Sequence, residues 1–303
     1  MQKQHILITG GSGLIGKSLT EELLKQGYTV SHLSRSKGKD NRVKTYQWSV
    51  EQGLIDENCL TGVDTIIHLA GAGIADKRWT RKRKKILIDS RTQSVALLYD
   101  LIGRKPNLVK NIISASATGY YSNRGDELMT EDSPPAKDFL GYCCSVWEQA
   151  VDKGKELNLR IVKLRTGVVL SRRGGALPPL ALPVKFGIGT ALGNGRQWIP
   201  WIHIKDVVDM YLHVLENNSI QGVYNMVAPN PVTNKQLTRA VAKQLRRPYW
   251  LPNVPAFLLR ALLGEMSLIV LSSTKVSAQK IESTNFKFNY PLLADALKNL
   301  YGK

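Results

Sequence analysis

Three glycines spaced three apart, Gly10, Gly13 and Gly16, lie between the apolar run Ile6-Leu7-Ile8 and a stretch in which Leu14, Ile15, Leu19, Leu23 and Leu24 recur at helical spacing. A buried strand, a tight turn and an amphipathic helix in that order constrain the fold more than any other feature of the chain. Each glycine has a task at a dinucleotide site. One makes the sharp turn, one lets the backbone approach a pyrophosphate, and one lets helix and strand pack closely. Amide hydrogens at the helix start, around Leu14 and Ile15, then face the phosphates with the helix dipole behind them. The competing reading is a βα unit that binds nothing. The apolar run before the turn, the helical period after it and Gly27 at the expected C-cap favour the nucleotide site.

The end of the following strand bears on which nucleotide is bound. A site for NAD places Asp or Glu there, about 20 residues beyond the turn, to accept the ribose 2′-hydroxyl. This chain has Ser34-Arg35-Ser36 and no acid until Asp40. Arg35 can fork onto a 2′-phosphate, with Ser34 and Ser36 donating to it. The expected cofactor is therefore NADP(H); the alternative for Arg35 is a solvated loop arginine.

The first half of the chain alternates strand-like and helix-like runs, the mark of a doubly wound parallel sheet. Strands are expected over residues 5–9, 29–33, 65–69, 110–114 and 160–164, and helices over 14–26, 81–102 and 141–157. After Leu170 a stretch rich in Gly and Pro, SRRGGALPPLALPVKFGIGTALGNGRQ, reads as irregular, apolar structure. An ordered element resumes at Trp201, followed by a helix over about 207–217 and a strand over 222–226 that joins the main sheet. The reading is a Rossmann-type α/β domain over 1–170, to which 200–228 return, with a smaller, mainly helical substrate-side domain over 171–303. Ligands of such sheets sit at the carboxyl ends of the strands.

A chain of 303 residues can bury a large core, and 43% hydrophobic with 22% charged residues is ordinary for a globular protein. A formal net charge of +18 is not ordinary and favours anionic partners: a phosphorylated cofactor, nucleic acid or a membrane surface. The densest basic run, KRWTRKRKK over 77–85, leads into a helix with Ile86, Ile88, Val95, Leu98 and Ile102 available for a core face. Without an RNA-recognition signature, a zinc finger or interleaved aromatics it reads as a solvated helix face, and no nucleic-acid partner is expected. Cys59, Cys143 and Cys144 form no CxxC or Cys/His cluster, so neither a disulfide framework nor a metal site is expected, and a reducing compartment fits. The apolar stretch over 251–271 carries Pro252, Pro255, Arg260, Gly264 and Glu265, each awkward in a bilayer, and reads as a buried helical pair or a helix covering the substrate. With no signal peptide before the glycine turn, the expectation is a cytoplasmic protein without a membrane partner.

These residues resemble the extended short-chain dehydrogenase/reductase superfamily. GGSGLIG is similar to its glycine motif and His68-Leu69-Ala70-Gly71 to the loop closing over the adenine and ribose side. Ser114-Ala115-Ser116 is similar to its catalytic serine region, and Leu164 to Val169 to the strand and loop beside the nicotinamide. The similarity narrows to an atypical branch, the "epimerase family protein" group often described as sugar-nucleotide epimerases. It is carried by Arg78-Trp79, Ser90-Arg91, SASATGYY over 114–121, Trp147-Glu148, GNGRQWIPWIHIKD over 193–206, NMVAPNPVTN over 225–234, Leu263-Gly264-Glu265 and FKFNYP over 286–291. The resemblance covers nearly the whole chain. It implies a cofactor site completed by Leu69, Ala70, Gly71, Ser114, Arg165, Gly167 and Val168, substrate contacts from Arg78, Trp79, Trp201 and His203, and a small appended C-terminal domain. Relatives often dimerise through the helices corresponding to 81–102 and 141–157, so the resemblance is compatible with a homodimer.

One departure bears on mechanism. Reductases of the superfamily rely on Tyr-x-x-x-Lys, in which the lysine lowers the tyrosine pKa and holds the ribose. No tyrosine here is followed four places on by lysine: Tyr142 has Val146, and alignment on Glu148 puts Leu140 and Cys144 at the dyad positions. The catalytic candidates are then Ser116, Tyr120 and Tyr121. Ser116 either orients a substrate oxygen or bonds the backbone, and the two tyrosines either supply a phenol or pack. His203 with Asp206 is an acid/base pair or a structural one, and Arg165 faces a phosphate or an internal carboxylate. The expected activity is NADP(H)-dependent hydride transfer on a small carbonyl, alcohol or sugar-nucleotide substrate. A non-catalytic NADP(H)-binding sensor is the alternative that the missing dyad raises.

Overall fold

The alternating short and long apolar runs resolve, in a computed structural model that describes residues 4–38 and 40–302, into a twisted sheet with helices on both faces. The strands are β1 (His5–Thr9), β2 (Thr29–Ser34), β3 (Lys44–Ser49), β4 (Leu54–Ile55), β5 (Thr65–His68), β6 (Asn111–Ala117), β7 (Leu128–Met129), β8 (Arg160–Thr166), β9 (Val168–Leu170), β10 (Trp198–Ile199), β11 (Trp201–His203), β12 (Gly222–Met226), β13 (Val232–Thr233) and β14 (Lys275–Val276). The helices are α1 (Leu14–Lys25), α2 (Arg81–Arg104), α3 (Phe139–Asp152), α4 (Leu177–Lys185), α5 (Ile204–Glu216), α6 (Asn234–Gln244), α7 (Ala256–Leu263), α8 (Leu268–Leu271), α9 (Gln279–Glu282) and α10 (Leu293–Tyr301).

The main sheet runs β12-β8-β6-β5-β1-β2-β3-β4, parallel throughout except for the antiparallel edge pair β3–β4. Chain order reverses between β1 and β5, so the loops that follow these strands diverge and open a crevice at their carboxyl ends. Helices α1 and α5 pack together on one face, over a core that includes Ile6, Ile8, Leu19, Leu23, Met210 and Tyr211. On the other face α2 packs on α3 over Leu7, Ile66, Leu98, Ile112 and Trp147. A third cluster, with Leu177, Trp201, Leu237, Val241 and Leu297, joins α4, α6 and α10.

Several elements depart from expectation for identifiable reasons. β3 was not expected, yet Tyr46 and Trp48 alternate with more exposed neighbours at the period of a half-buried strand. β6 and β8 run on to Ala117 and Thr166, past the expected ends, and so draw Ser116 and Arg165 into the sheet. The Pro-rich stretch expected to be irregular contains α4. Its prolines at the first turn cost no hydrogen bond, and Leu177, Ala181 and Val184 bury one helical stripe. The segment over 251–271 is not a buried helical pair: of α7 only Leu259 is buried, and Phe257 and Leu262 are exposed. No helix among the described residues is long and apolar enough to cross a membrane.

The C-terminal segment is tied back to the sheet body. The buried carboxylate of Asp206, in the first turn of α5, accepts hydrogen bonds from the backbone of Asn289 at 2.7 Å and of Tyr290 at 3.1 Å. β14 pairs with β7 beyond the end of β6. These tethers bring residues 268–276 over the strand ends.

The glycine turn supplies a direct test of the packing. A Cβ on Gly16 would lie 2.5 Å from the Gly10 carbonyl oxygen and 2.7 Å from the Gly11 Cα, both backbone atoms that cannot move aside. One on Gly13 would lie 3.2 Å from the same oxygen. Gly16→Ala is expected to cost about 1–3 kcal/mol in denaturant unfolding, as overpacking does. Gly13→Ala, at an N-cap where little is lost, should cost under about 1 kcal/mol. Equal losses would show that helix–strand approach is not what Gly16 provides.

Candidate functional site

The turn after β1 is built for close approach. Gly10 has φ +71°, and a Cβ there would sit 2.9 Å from the Leu69 carbonyl carbon across the crevice. Gly11, not singled out by sequence, is equally constrained, because its α-carbon packs on the His32 ring with 2.5 Å left for a Cβ. His32 is itself held by Thr20 Oγ1 at 2.8 Å. Helix α1 then begins at N-cap Gly13 with no side-chain cap, so the first-turn amides around Leu14 and Ile15 are left for a ligand. Buried Thr9 Oγ1 accepts from the backbone N–H of both Leu69 and Ala70 at 3.1 Å and pins the loop after β5 beside the turn, with Gly71 against Arg91.

Beyond the turn a cavity of about 470 Å³ is lined by Gly11, Ser12, Lys17, His32, Ser34, Ser36, Lys37 and Arg42, among others. Ser34 and Ser36 are thus both in the lining of this cavity. Arg35 is exposed between them and does not line the cavity, and its guanidinium makes no ion pair with the described residues. Lys37 and Arg42, which sequence reasoning missed, add two cations. Arg42 grips Asp40 with two hydrogen bonds at 2.9 and 2.7 Å, and these hold the Asp40 carboxyl down at about 2. The acid in this loop therefore faces an arginine.

A second cavity, of about 230 Å³, lies at the carboxyl ends of β6 and β8. Gly167 and Val168 form part of its wall, with Ile74, Ile199, Leu268 and Ile269. Helix α3 presents Leu140, Cys143, Cys144 and Trp147, the i, i+3, i+4, i+7 face of one helix. Burial pushes both thiols up, so they stay protonated and inert at neutral pH. The hydroxyls on the wall belong to Thr118, Ser122, Thr166, Ser272 and Thr274, none of them a sequence candidate. The last two arrive through the β14–β7 tether, a contact no local pattern reveals.

The three catalytic candidates do not line this cavity. Ser116 Oγ donates to Glu148 Oε1 at 2.6 Å beneath the wall. Arg165 donates to the same carboxylate from Nε at 2.8 Å and Nη2 at 2.9 Å. Its Nη1 donates to Tyr121 Oη at 2.8 Å and to the Glu131 carbonyl at 3.1 Å. Tyr121 Oη donates to Asn225 Oδ1 at 2.7 Å, and burial pushes its phenol up to about 12. The Tyr120 ring lies 3.5 Å from the Arg165 guanidinium carbon. Burial works against the arginine's charge, but hydrogen bonds and attraction from Glu148 raise its pKa overall. Arg165 therefore faces an internal carboxylate and not a phosphate, and Ser116, Tyr120 and Tyr121 belong to its surroundings.

Other candidates are also placed structurally. Ser114 is buried, donates to the Ala115 carbonyl at 3.0 Å and contacts His68. The Trp79 indole donates to the Ile74 carbonyl at 2.8 Å and meets Phe139 edge-on, so it props the cavity's rim from behind. Arg78 is exposed beside Gly264 and does not line the cavity. Trp201 is wholly buried, its indole donating to the Asn230 carbonyl at 3.0 Å. His203 caps α5, accepting at Nδ1 from the Lys205 N–H at 3.1 Å, and stacks on Tyr290. Both belong to the packing of the C-terminal part, not to the cavity wall.

Two outcomes follow from this buried polar layer. Glu148→Ala leaves an unpaired guanidinium in the core and should cost about 3–5 kcal/mol in chemical unfolding, of which Glu148→Leu with Arg165→Met recovers most. A single-variant loss under about 1 kcal/mol would refute the pairing. Burial lowers His68 and His203 from the usual 6.5 to about 4, so both are neutral when folded. Between about pH 6.5 and pH 4 the unfolded chain binds protons that the folded one does not, and stability falls as pH falls by roughly 1 kcal/mol per pH unit per histidine. His68→Gln, measured at pH 7 and pH 5, should flatten that slope; an unchanged slope counts against the assignment.

Comparison with known proteins identifies the family and the fold. The NAD dependent epimerase/dehydratase family matches residues 6–226, and a family described as a domain of unknown function (DUF1731) matches 254–300. The epimerase family protein YfhF of Bacillus subtilis is 38% identical over 98% of this chain and 97% of its own length. The chloroplastic SDR39U1 homolog of Arabidopsis thaliana is 34% identical over 97% of this chain and 85% of its own. Among solved structures, the human epimerase family protein SDR39U1 with NADPH superposes with a TM-score of 0.87 at 30% identity, covering 98% of this chain and 99% of that one. A UDP-glucuronic acid 4-epimerase from Bacillus cereus, at 18% identity and TM-score 0.80, shares the fold. By its match over 221 of 303 residues and its full-length relatives, this chain belongs to the NAD dependent epimerase/dehydratase family.

Proposed function

We propose that the chain binds NADP(H) and transfers hydride between the nicotinamide and a small carbonyl or alcohol held in the 230 Å³ cavity. The observation that carries this reading is the placement of that cavity at the carboxyl ends of β6 and β8, in a fold whose glycine turn has no room for side chains. Gly10, Gly11, Gly13 and the first-turn amides of α1 would hold the pyrophosphate. Ser34, Ser36 and Lys37 of the lining, with Arg35 exposed between the two serines and free of any ion pair with the described residues, would hold a 2′-phosphate, whereas Arg42 is already held by Asp40. The human relative solved with NADPH supports the phosphorylated nucleotide. When bound, the nicotinamide supplies the hydride donor or acceptor.

The protein's part is to orient and to exclude water. With Leu140 and Cys144 on the wall where the superfamily resemblance places Tyr and Lys, Thr118 is the hydroxyl at the end of β6 that is available to a substrate oxygen. Its own bond, to the Thr166 carbonyl, is long at 3.4 Å. The same apolar wall favours a second reading, a nucleotide sensor that binds NADPH without turnover.

Calorimetric titration with NADPH, NADH, NADP⁺ and NAD⁺ tests the cofactor. The phosphorylated forms should bind at least about tenfold more tightly, a difference of about 1.4 kcal/mol, and Arg35→Asp should erase it. Equal affinities, or no binding, would overturn the proposal; binding with no turnover across a carbonyl panel would favour the sensor.

A further inference from the structure

We infer that the ligand of the smaller cavity is a compact, uncharged and largely apolar carbonyl compound or its alcohol, and not a sugar nucleotide. The inference rests on the nucleotide reading above and narrows its substrate. Charge is the first ground. A nucleoside diphosphate brings at least two negative charges, which need cations or a cluster of free amides once removed from water. Among the described residues lining the cavity the one charged side chain is Arg91. Its Nη1 donates to the Leu87 carbonyl at 2.7 Å and its Nη2 to the Ala72 carbonyl at 3.1 Å, and its guanidinium lies over the Trp147 ring. Three nearby cations are committed to carboxylates, Arg165 to Glu148, Lys163 to Asp152 at 2.5 Å and Lys84 to Glu265 at 2.5 Å, and Lys275 lies over the Trp198 ring without joining the lining. For a chain with a net charge of +18, a described lining with one cation, itself bonded to two backbone carbonyls, is a specific feature of the site.

Size and lining agree. About 230 Å³ lies below the range of roughly 300–1,000 Å³ usual for drug-sized ligands, and the nicotinamide must share it. Ile74, Leu140, Ile199, Leu268 and Ile269 give it apolar walls. Two residues of the lining, Trp147 and Ser272, carry buried polar atoms, Nε1 and Oγ, without a hydrogen-bond partner among the described residues. With Thr118 they offer a ligand uncharged hydrogen-bonding groups only. In the reductive direction the bound cofactor would supply a hydride to the carbonyl carbon, the C=O π pair would move to oxygen, and a water molecule would give that oxygen a proton, its hydroxide leaving to solvent. The carbonyl is reduced and the cofactor oxidised.

The test reads binding, not activity. Protein saturated with NADP⁺ is titrated calorimetrically with cyclopentanone, cyclohexanone, cycloheptanone and UDP-glucose; with the oxidised cofactor no ketone can turn over. Affinity should rise about fourfold per added methylene until the cavity is full, and UDP-glucose should not bind at millimolar concentration. Ile269→Lys, at a partly exposed position of the wall, should weaken ketone binding at least tenfold when measured at saturating NADP⁺. Binding of UDP-glucose, or no binding of any ketone, overturns the inference while the cofactor reading stands. Failure to bind NADP⁺ sinks the cofactor reading itself.

Discussion

A carboxylate and a guanidinium withdrawn from water hold together the region where the strand ends meet the helices. Glu148 and Arg165 are 6% and 3% exposed, and removing such a pair from solvent costs several kcal/mol per ion unless its remaining hydrogen-bonding capacity is filled. Here it is filled: two parallel bonds join the pair, Ser116 adds a third to the carboxylate, and Tyr121 and the Glu131 carbonyl take another guanidinium N–H. The network spans α3, β6, β8 and, through Asn225, β12. Glu148 lies one turn beyond Cys144, which lies one turn beyond Leu140. Fixing the carboxylate against the sheet thus fixes which face of α3 walls the cavity.

Two openings of opposite chemistry result. Beside the glycine turn the lining is polar and carries Lys17, Lys37 and Arg42 against Glu21 and Asp40. At the strand ends it is mostly apolar, with Arg91 the one charged side chain of the described lining, while Arg165, Lys163, Glu148 and Asp152 pair with one another beneath it. Net charge does not predict this division. Much of the +18 lies on solvated positions such as Arg81, Lys82 and Lys85 of α2, where water screens it.

The glycine turn, the first strands and the helices between them were legible because each is written in a local pattern of apolar period and turn residues. The main sheet's far edge was legible for the same reason. What sequence could not supply was the direction of the polar side chains. Ser116, Tyr121, Arg165 and His203 occupy the chain positions that a resemblance marks, yet their partners lie between 2 and 104 residues away and were set by packing. A motif fixes where a residue stands along a strand, and one residue of difference in strand register or end decides whether it faces a cavity or a core. β6 and β8 ran on past their expected ends, which is how a serine and an arginine read as site residues became part of the sheet. The cavity's cover was equally hidden. Residues 268–274 reach it because β14 pairs with β7, a contact between segments some 150 residues apart whose two-residue strands carry no periodic signal.

The apolar face of α3 has an electrostatic logic. A lysine at position 144 would be a fourth cation beside a buried layer that already holds Arg165 and Lys163 and faces Arg91, and Arg165 and Arg91 already act on the Cys144 thiol. Its charge would need a carboxylate of its own, whereas Glu148 is already bonded by Arg165 and Ser116 and Asp152 by Lys163 and Lys155. The chain instead draws its positive charge from the sheet, through Lys163 and Arg165, and neutralises it with Asp152 and Glu148. What is given up is a lysine able to lower a phenol's pKa. What is gained is a mostly apolar wall, along which burying carbon is favoured and burying charge is costly.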